Sequence, residues 1–139
     1  MVDFEIIRTR LQGLRSLLPV LKSLQSLSRK DFVSSREKQL AAEHALQLAI
    51  QHLLDISSHI LASRGVRELA DYRDILLKMG KEGILPEDFV EKISGMAGFR
   101  NLLVHDYAEV EPERVYDFLK NRLGDFEEFM RHVAIHLKL

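Results

Sequence analysis

The sequence predicts an all-α fold, an up-and-down bundle of about five helices, on three observations. Apolar residues recur at alternating steps of three and four along most of the chain, the spacing that keeps one stripe of a helix against its neighbours. Helix-capping and helix-ending residues punctuate those stripes at sensible intervals. No segment shows sustained period-two alternation or hairpin chemistry, and there is no internal repeat or low-complexity tract.

The first helix is read over residues 4 to 21, where Phe4, Ile7, Leu11, Leu14, Leu18 and Leu21 form one stripe. Gly13 and Pro19 interrupt it, and a proline in a helix interior removes a hydrogen bond and crowds the preceding turn, so a kink is expected near Pro19. Ser34 and Glu37 form an S-x-x-E capping box that starts a second helix. Its stripe is Ala42, Leu46, Ala49, Leu53, Ile56 and Ile60, its small alanines imply close helix contact, and Gly65 is placed to end it in a left-handed cap. A shorter helix fits Val66 to Met79, stopped by Gly80 and Gly83. Pro86 suits the first turn of a fourth helix with Phe89, Ile93, Met96 and Leu103 on its core face. Asp106 to Val110 reads as a turn, and Glu111-Pro112 begins a fifth helix with Val115, Phe118, Leu119, Phe126 and Phe129 inward.

The 139 residues fit one domain, 1–139, with 46% hydrophobic and 29% charged residues and too little Pro and Gly for a disordered chain. With no cysteine there is neither a disulfide framework nor a thiolate metal site. Asp3 and Glu5 stand where a signal peptide would be basic, and no apolar run approaches spanning length, so a cytoplasmic location without a membrane is expected. The net charge of −1 does not advertise a polyanion binder, but its distribution is uneven. Residues 1 to 40 hold eight basic groups against four acids, whereas residues 82 to 128 hold twelve acids and five bases. A basic face would therefore be built mainly by the first helix, and solvated helix faces are an equal alternative.

Six histidines raise the question of a metal. Glu128, His132 and His136 follow one another at four-residue spacing, but there is no Glu-x-x-His, and a solvated face is the favoured reading, with no metal expected. His44, His52 and His59 read as satisfied polar residues at the border of the second helix. Neither a phosphate loop nor a serine-nucleophile elbow is present.

The stretch FRNLLVHDY, Phe99 to Tyr107, is the one that suits chemistry. Asn101 and His105 share a helix face, while Arg100 sits some 140° from His105, at about 100° per residue, and reaches that face through its length or across a symmetric interface. An imidazole titrates near neutrality and can take a proton from a 2′-hydroxyl or give one to a leaving oxygen. A guanidinium can hold the charge that develops on a phosphorane, and neither group needs a metal. Spacing alone leaves open a structural helix-terminal histidine.

MAGFRNLLVHDY, followed by the proline-started EPERVYDFL, resembles the R-x-x-x-x-H-x-Y signature of HepT-like toxins, a branch of the HEPN superfamily (higher eukaryote and prokaryote nucleotide-binding domains). AAEHALQLAIQHLLDISSHI resembles that family's second helix and GILPEDFVEKISGMAGFRN its approach to the motif, so most of the chain is covered. The resemblance implies a cytoplasmic, metal-independent, cofactor-free endoribonuclease toxin, paired with an MntA-like nucleotidyltransferase antitoxin. It also implies a homodimer with a composite cleft, Arg100 and His105 as catalytic residues, and Tyr107 as the site of AMPylation, with a phenol that helps to place the phosphate as the open alternative for Tyr107. Asn101 is assigned a supporting role, orienting the imidazole or donating to a phosphate, with a solvated residue the equal alternative. Asp106 either caps the helix or orients His105, and Arg8, Arg10 and Arg15 are candidates for RNA-backbone contacts. Two other readings stay open: a non-catalytic HEPN module that binds nucleotide or a nucleotidyltransferase, and a purely structural helical adaptor.

Overall fold

The computed structural model describes residues 2–105 and 110–139. Among them seven helices follow in order: α1 (Phe4–Gln25), α2 (Arg29–Val33), α3 (Arg36–Ser63), α4 (Tyr72–Lys81), α5 (Glu87–Ile93), α6 (Met96–His105) and α7 (Pro112–Leu137). The all-α class stands, and the helix count exceeds the expected five for two local reasons. A one-turn α2 starts where the Ser28 side chain accepts from Asp31 N, and it buries Phe32 completely. The anticipated fourth helix is divided by a turn at Ser94 and Gly95, after which Phe99 N donates to Gly95 O to open α6. Both halves keep the expected core stripe, because Phe89, Ile93, Met96 and Leu103 are all buried.

α1, α3 and α7 form the frame. The expected stripes are buried from Ile7 to Leu21 on α1 and from Ala42 to Ile60 on α3, and only Phe4 at the N-terminal end is exposed. Complete burial of each Leu or Ile in these rows stabilises the fold by about 1.5–3 kcal/mol. On α7, Val115, Leu119, Phe126 and Phe129 are fully buried and Phe118 is half-buried. α1 is continuous through Pro19, which lies on an exposed face of the helix and removes only the backbone donor to the carbonyl of Arg15, itself an exposed residue. No helix among the described residues is long and apolar enough to cross a membrane.

Caps refine the expected boundaries. The N-cap of α3 is Ser35, whose hydroxyl accepts from Lys38 N, rather than Ser34, which closes α2 and donates to Asp31 O. Gly65 ends α3 at φ 81°, with Gly65 N donating to Ala62 O and Val66 N to Leu61 O, the paired bonds of a Schellman cap. Gly83 at φ 73° ends α4 with the same pair of bonds, to Gly80 O and Met79 O. α4 itself starts at Tyr72 instead of Val66: Asp71 caps it by accepting from Asp74 N at 2.8 Å, while Asp74 accepts from Ala70 N and keeps residues 66–71 as a folded loop. Pro86 stands at the N-cap of α5, one residue before the expected first turn, and Pro112 opens α7 as expected.

Candidate functional site

α6 carries the motif and is held by its apolar side. Phe99 is buried edge-on against Phe118 of α7 with centroids 4.6 Å apart, and Met96, Ala97 and Leu103 complete the buried face. That fixes the remaining positions by rotation alone. Asn101 and His105 are exposed on the outer face, and Arg100 is half-buried on the flank that meets α3 and α4.

Arg100 is held from three elements. Its Nε donates to Gln51 Oε1 of α3 at 2.9 Å, its Nη1 donates to Asn101 Oδ1 at 3.2 Å, and its guanidinium carbon stands 4.7 Å from the centre of the Tyr72 ring of α4. Gln51 in turn donates from Nε2 to Asp55 Oδ1 at 2.8 Å, and the other oxygen of Asp55 pairs with Arg10 of α1 at 3.6 Å. A continuous polar line thus runs from the motif across α3 to the first helix. Among the described residues no hydrogen bond joins Arg100 to His105. Asp106 and Tyr107, expected as a supporting group and as the modified residue, lie outside the described residues.

His52, beside Gln51 on α3, packs against α1 at Gly13. A Cβ placed on Gly13 would lie 2.8 Å from both Cε1 and Nε2 of its ring. Its Nδ1 is buried without a partner among the described residues, so the expectation of a satisfied border histidine fails here. Burial, and then the nearby charge of Arg10, push the imidazole below its ordinary value of 6.5, against a smaller opposing pull from Asp55. His59 is satisfied, accepting from Asp3 N at 3.2 Å, and His44 is exposed. His132 pairs with Glu128 at 3.2 Å, and among the described residues no group of three or more His, Asp or Glu side chains is arranged to hold a metal.

The three arginines expected to touch RNA do not form one patch. Arg8 and Arg15, seven residues apart, share the α1 face that borders Met130 and Ala134 of α7, whereas Arg10 is turned about 140–160° from them and pairs with Asp55. The residues that sequence reasoning missed are Gln51, Asp55 and Tyr72. The i,i+4 spacing of Gln51 and Asp55 was a visible signal for that pair, and nothing in the sequence marked Tyr72 as their neighbour.

Comparison with known proteins bears on the family and the fold. A family model described as Ribonuclease HepT-like matches residues 7–133. The chain is 32% identical over 132 residues to a tRNA nuclease HepT of Aphanizomenon flos-aquae, covering 95% of this chain and 90% of that one. It is 27% identical over 85 residues to an mRNA nuclease HepT of Shewanella oneidensis, covering 61% and 64% of the two. The fold is that of the tri-AMPylated Shewanella oneidensis HEPN toxin solved in complex with MNT antitoxin, at a TM-score of 0.85 and 21% identity, over 97% of this chain and 99% of that one.

Proposed function

Because the chain belongs to the HepT-like ribonuclease family of the HEPN superfamily, we propose that it is a cytoplasmic endoribonuclease toxin that cuts RNA without a metal and is silenced by an MntA-like nucleotidyltransferase. The observation that carries the reading is the state of the motif: Arg100 is held by Gln51, Asn101 and Tyr72 at the α3–α4–α6 corner, and His105, five residues further along α6, stands exposed. A held cation and an accessible imidazole are what phosphodiester cleavage asks of a protein once the two converge on one phosphate.

In this mechanism the His105 imidazole takes the proton of a 2′-hydroxyl as that oxygen attacks the adjacent phosphorus. The bond from phosphorus to the 5′-oxygen breaks, an imidazolium returns a proton to the leaving oxygen, and the products are a 2′,3′-cyclic phosphate and a 5′-hydroxyl. Arg100 holds the charge that accumulates on the non-bridging oxygens. One imidazole acting as base and a second as acid calls for two copies of the motif, and the 140° between Arg100 and His105 on one helix favours the same answer, a composite cleft in a homodimer. Tyr107 is the acceptor of AMP: phosphate charge and bulk next to the cleft would repel an RNA backbone and block its entry.

The test uses protein confirmed by intact mass to be free of adenylyl groups, incubated with cellular RNA in EDTA beside His105→Ala and Tyr107→Phe. Cleavage leaving 2′,3′-cyclic ends, abolished in His105→Ala, is expected, and Tyr107→Phe should cut RNA in the presence of an antitoxin that silences the wild type. Absence of cleavage by the unmodified wild type would overturn the reading in favour of a non-catalytic binding module.

A further inference from the structure

We propose that Gln51 is a positioning residue for Arg100, its amide fixing the guanidinium so that the Nη1–Nη2 edge is the one presented to the RNA phosphate; the proposal rests on the ribonuclease reading above. An arginine can offer an anion either of two side-by-side edges, Nε with one Nη or the two Nη groups together. Here the first edge is already committed, because Nε donates to Gln51 Oε1 at 2.9 Å, whereas Nη1, which donates to Asn101 Oδ1 at 3.2 Å, uses one of its two N–H groups there and keeps the other for an anion beside Nη2.

The amide can do this in one orientation only. Gln51 lies between a donor, the Arg100 Nε–H, and an acceptor, Asp55 Oδ1, at 2.9 and 2.8 Å. Reversing it would set N–H against N–H and oxygen against carboxylate. Asp55 is itself anchored from α1, since its second oxygen pairs with Arg10 at 3.6 Å. Tyr72 closes the arrangement from α4 with its ring face against the guanidinium. Rotation of the fork about Cδ–Nε is therefore resisted by the glutamine in the plane and by the tyrosine across it. A glutamate in place of Gln51 would still accept from Nε, but it would face Asp55 with like charge and neutralise the cation that the phosphate needs. The neutral amide bonds Arg100 while leaving its charge uncompensated at the cleft.

The experiment compares the full-length wild type with Gln51→Met, which keeps length and packing but removes both hydrogen bonds. Exchange of the Arg100 Nε–H is followed by nitrogen-edited NMR, with the resonance identified by its loss in Arg100→Lys. Single-turnover cleavage over a range of RNA concentrations and thermal melting run alongside. The expected result is a slowly exchanging Nε–H that becomes unprotected in Gln51→Met. The saturating rate should fall about 10- to 100-fold, the scale for a displaced catalytic group, with half-saturation and Tm little changed. Protection that survives in Gln51→Met overturns the proposal, and so does lost protection with an unchanged rate. If the wild type cuts no RNA, the ribonuclease reading fails separately, and the exchange arm still decides the clamp: retained protection refutes it and lost protection supports it.

Discussion

Replacing Gly13 by alanine should destabilise the protein, and the sign of the effect should reverse when His52 is removed. Alanine is the better helix former by about 0.8–1 kcal/mol in a helix interior, so on α1 alone the substitution would be a gain. The structure opposes it: the new methyl would lie 2.8 Å from Cε1 and Nε2 and 3.4 Å from Cδ2 of His52. Carbon atoms pack comfortably at about 3.5–4.0 Å, so the ring must retreat by roughly 0.7 Å or more at an interface where its Nδ1 is already buried. Overpacking of this kind costs about 1–3 kcal/mol. The net effect is a loss of up to about 2 kcal/mol, and a 1 kcal/mol loss lowers Tm by roughly 3–5 °C in a chain of this size. In a His52→Ala background the clash is gone, and Gly13→Ala should stabilise by about 1 kcal/mol. Urea denaturation of the four proteins, at one protein concentration, closes the cycle with a coupling of about 1–3 kcal/mol. Stabilisation of similar size in both backgrounds would refute the packing of His52 on Gly13.

Two further outcomes are expected. His52 has a folded pKa below its ordinary value of 6.5, so below that pH the unfolded chain takes up a proton that the fold resists. Its contribution to stability is therefore complete above about pH 6.5 and is lost as the pH falls toward the lowered folded value. Denaturant midpoints between pH 7.5 and 5 should consequently fall less steeply in His52→Asn than in the wild type, and parallel curves would remove His52 as a source of the slope. Charge reversal of both Arg8 and Arg15 should weaken binding of single-stranded RNA at every sequence. It should also flatten the dependence of log K on log salt by about 1.4, or about 0.7 for each phosphate no longer neutralised; an unchanged slope would return both residues to the solvated surface.

Much of the frame was legible because its physics is local. Stripe spacing alone located the buried rows of α1, α3 and α7, and Gly65 announced its left-handed cap because only a residue without a side chain adopts that conformation freely. The boundary of α4 was not legible: Val66 and Leu69 fit a helical stripe, yet they pack against the core from a loop, since Asp71 and Asp74 offer the backbone another set of hydrogen bonds. Ser34 and Ser35 were equally good caps by residue type. The choice fell to Ser35 because Ser34 already closes α2, a one-turn helix that buries Phe32.

The sequence by itself determined the family and the buried stripes of α1, α3 and α7, since spacing within one helix and a short signature need no knowledge of distant residues. Only the tertiary structure decided what Arg100 leans on. Gln51 precedes it by 49 residues, and their meeting depends on how α3, α4 and α6 rotate about their own buried faces. The helical period already separates Arg10 from Arg8 and Arg15, three charges that look like one cluster in the chain, and packing decides what each side of α1 meets: Asp55 of α3 for Arg10, Met130 and Ala134 of α7 for Arg8 and Arg15. Burial of the apolar stripes fixes those rotations, and the polar geometry of the site follows from them.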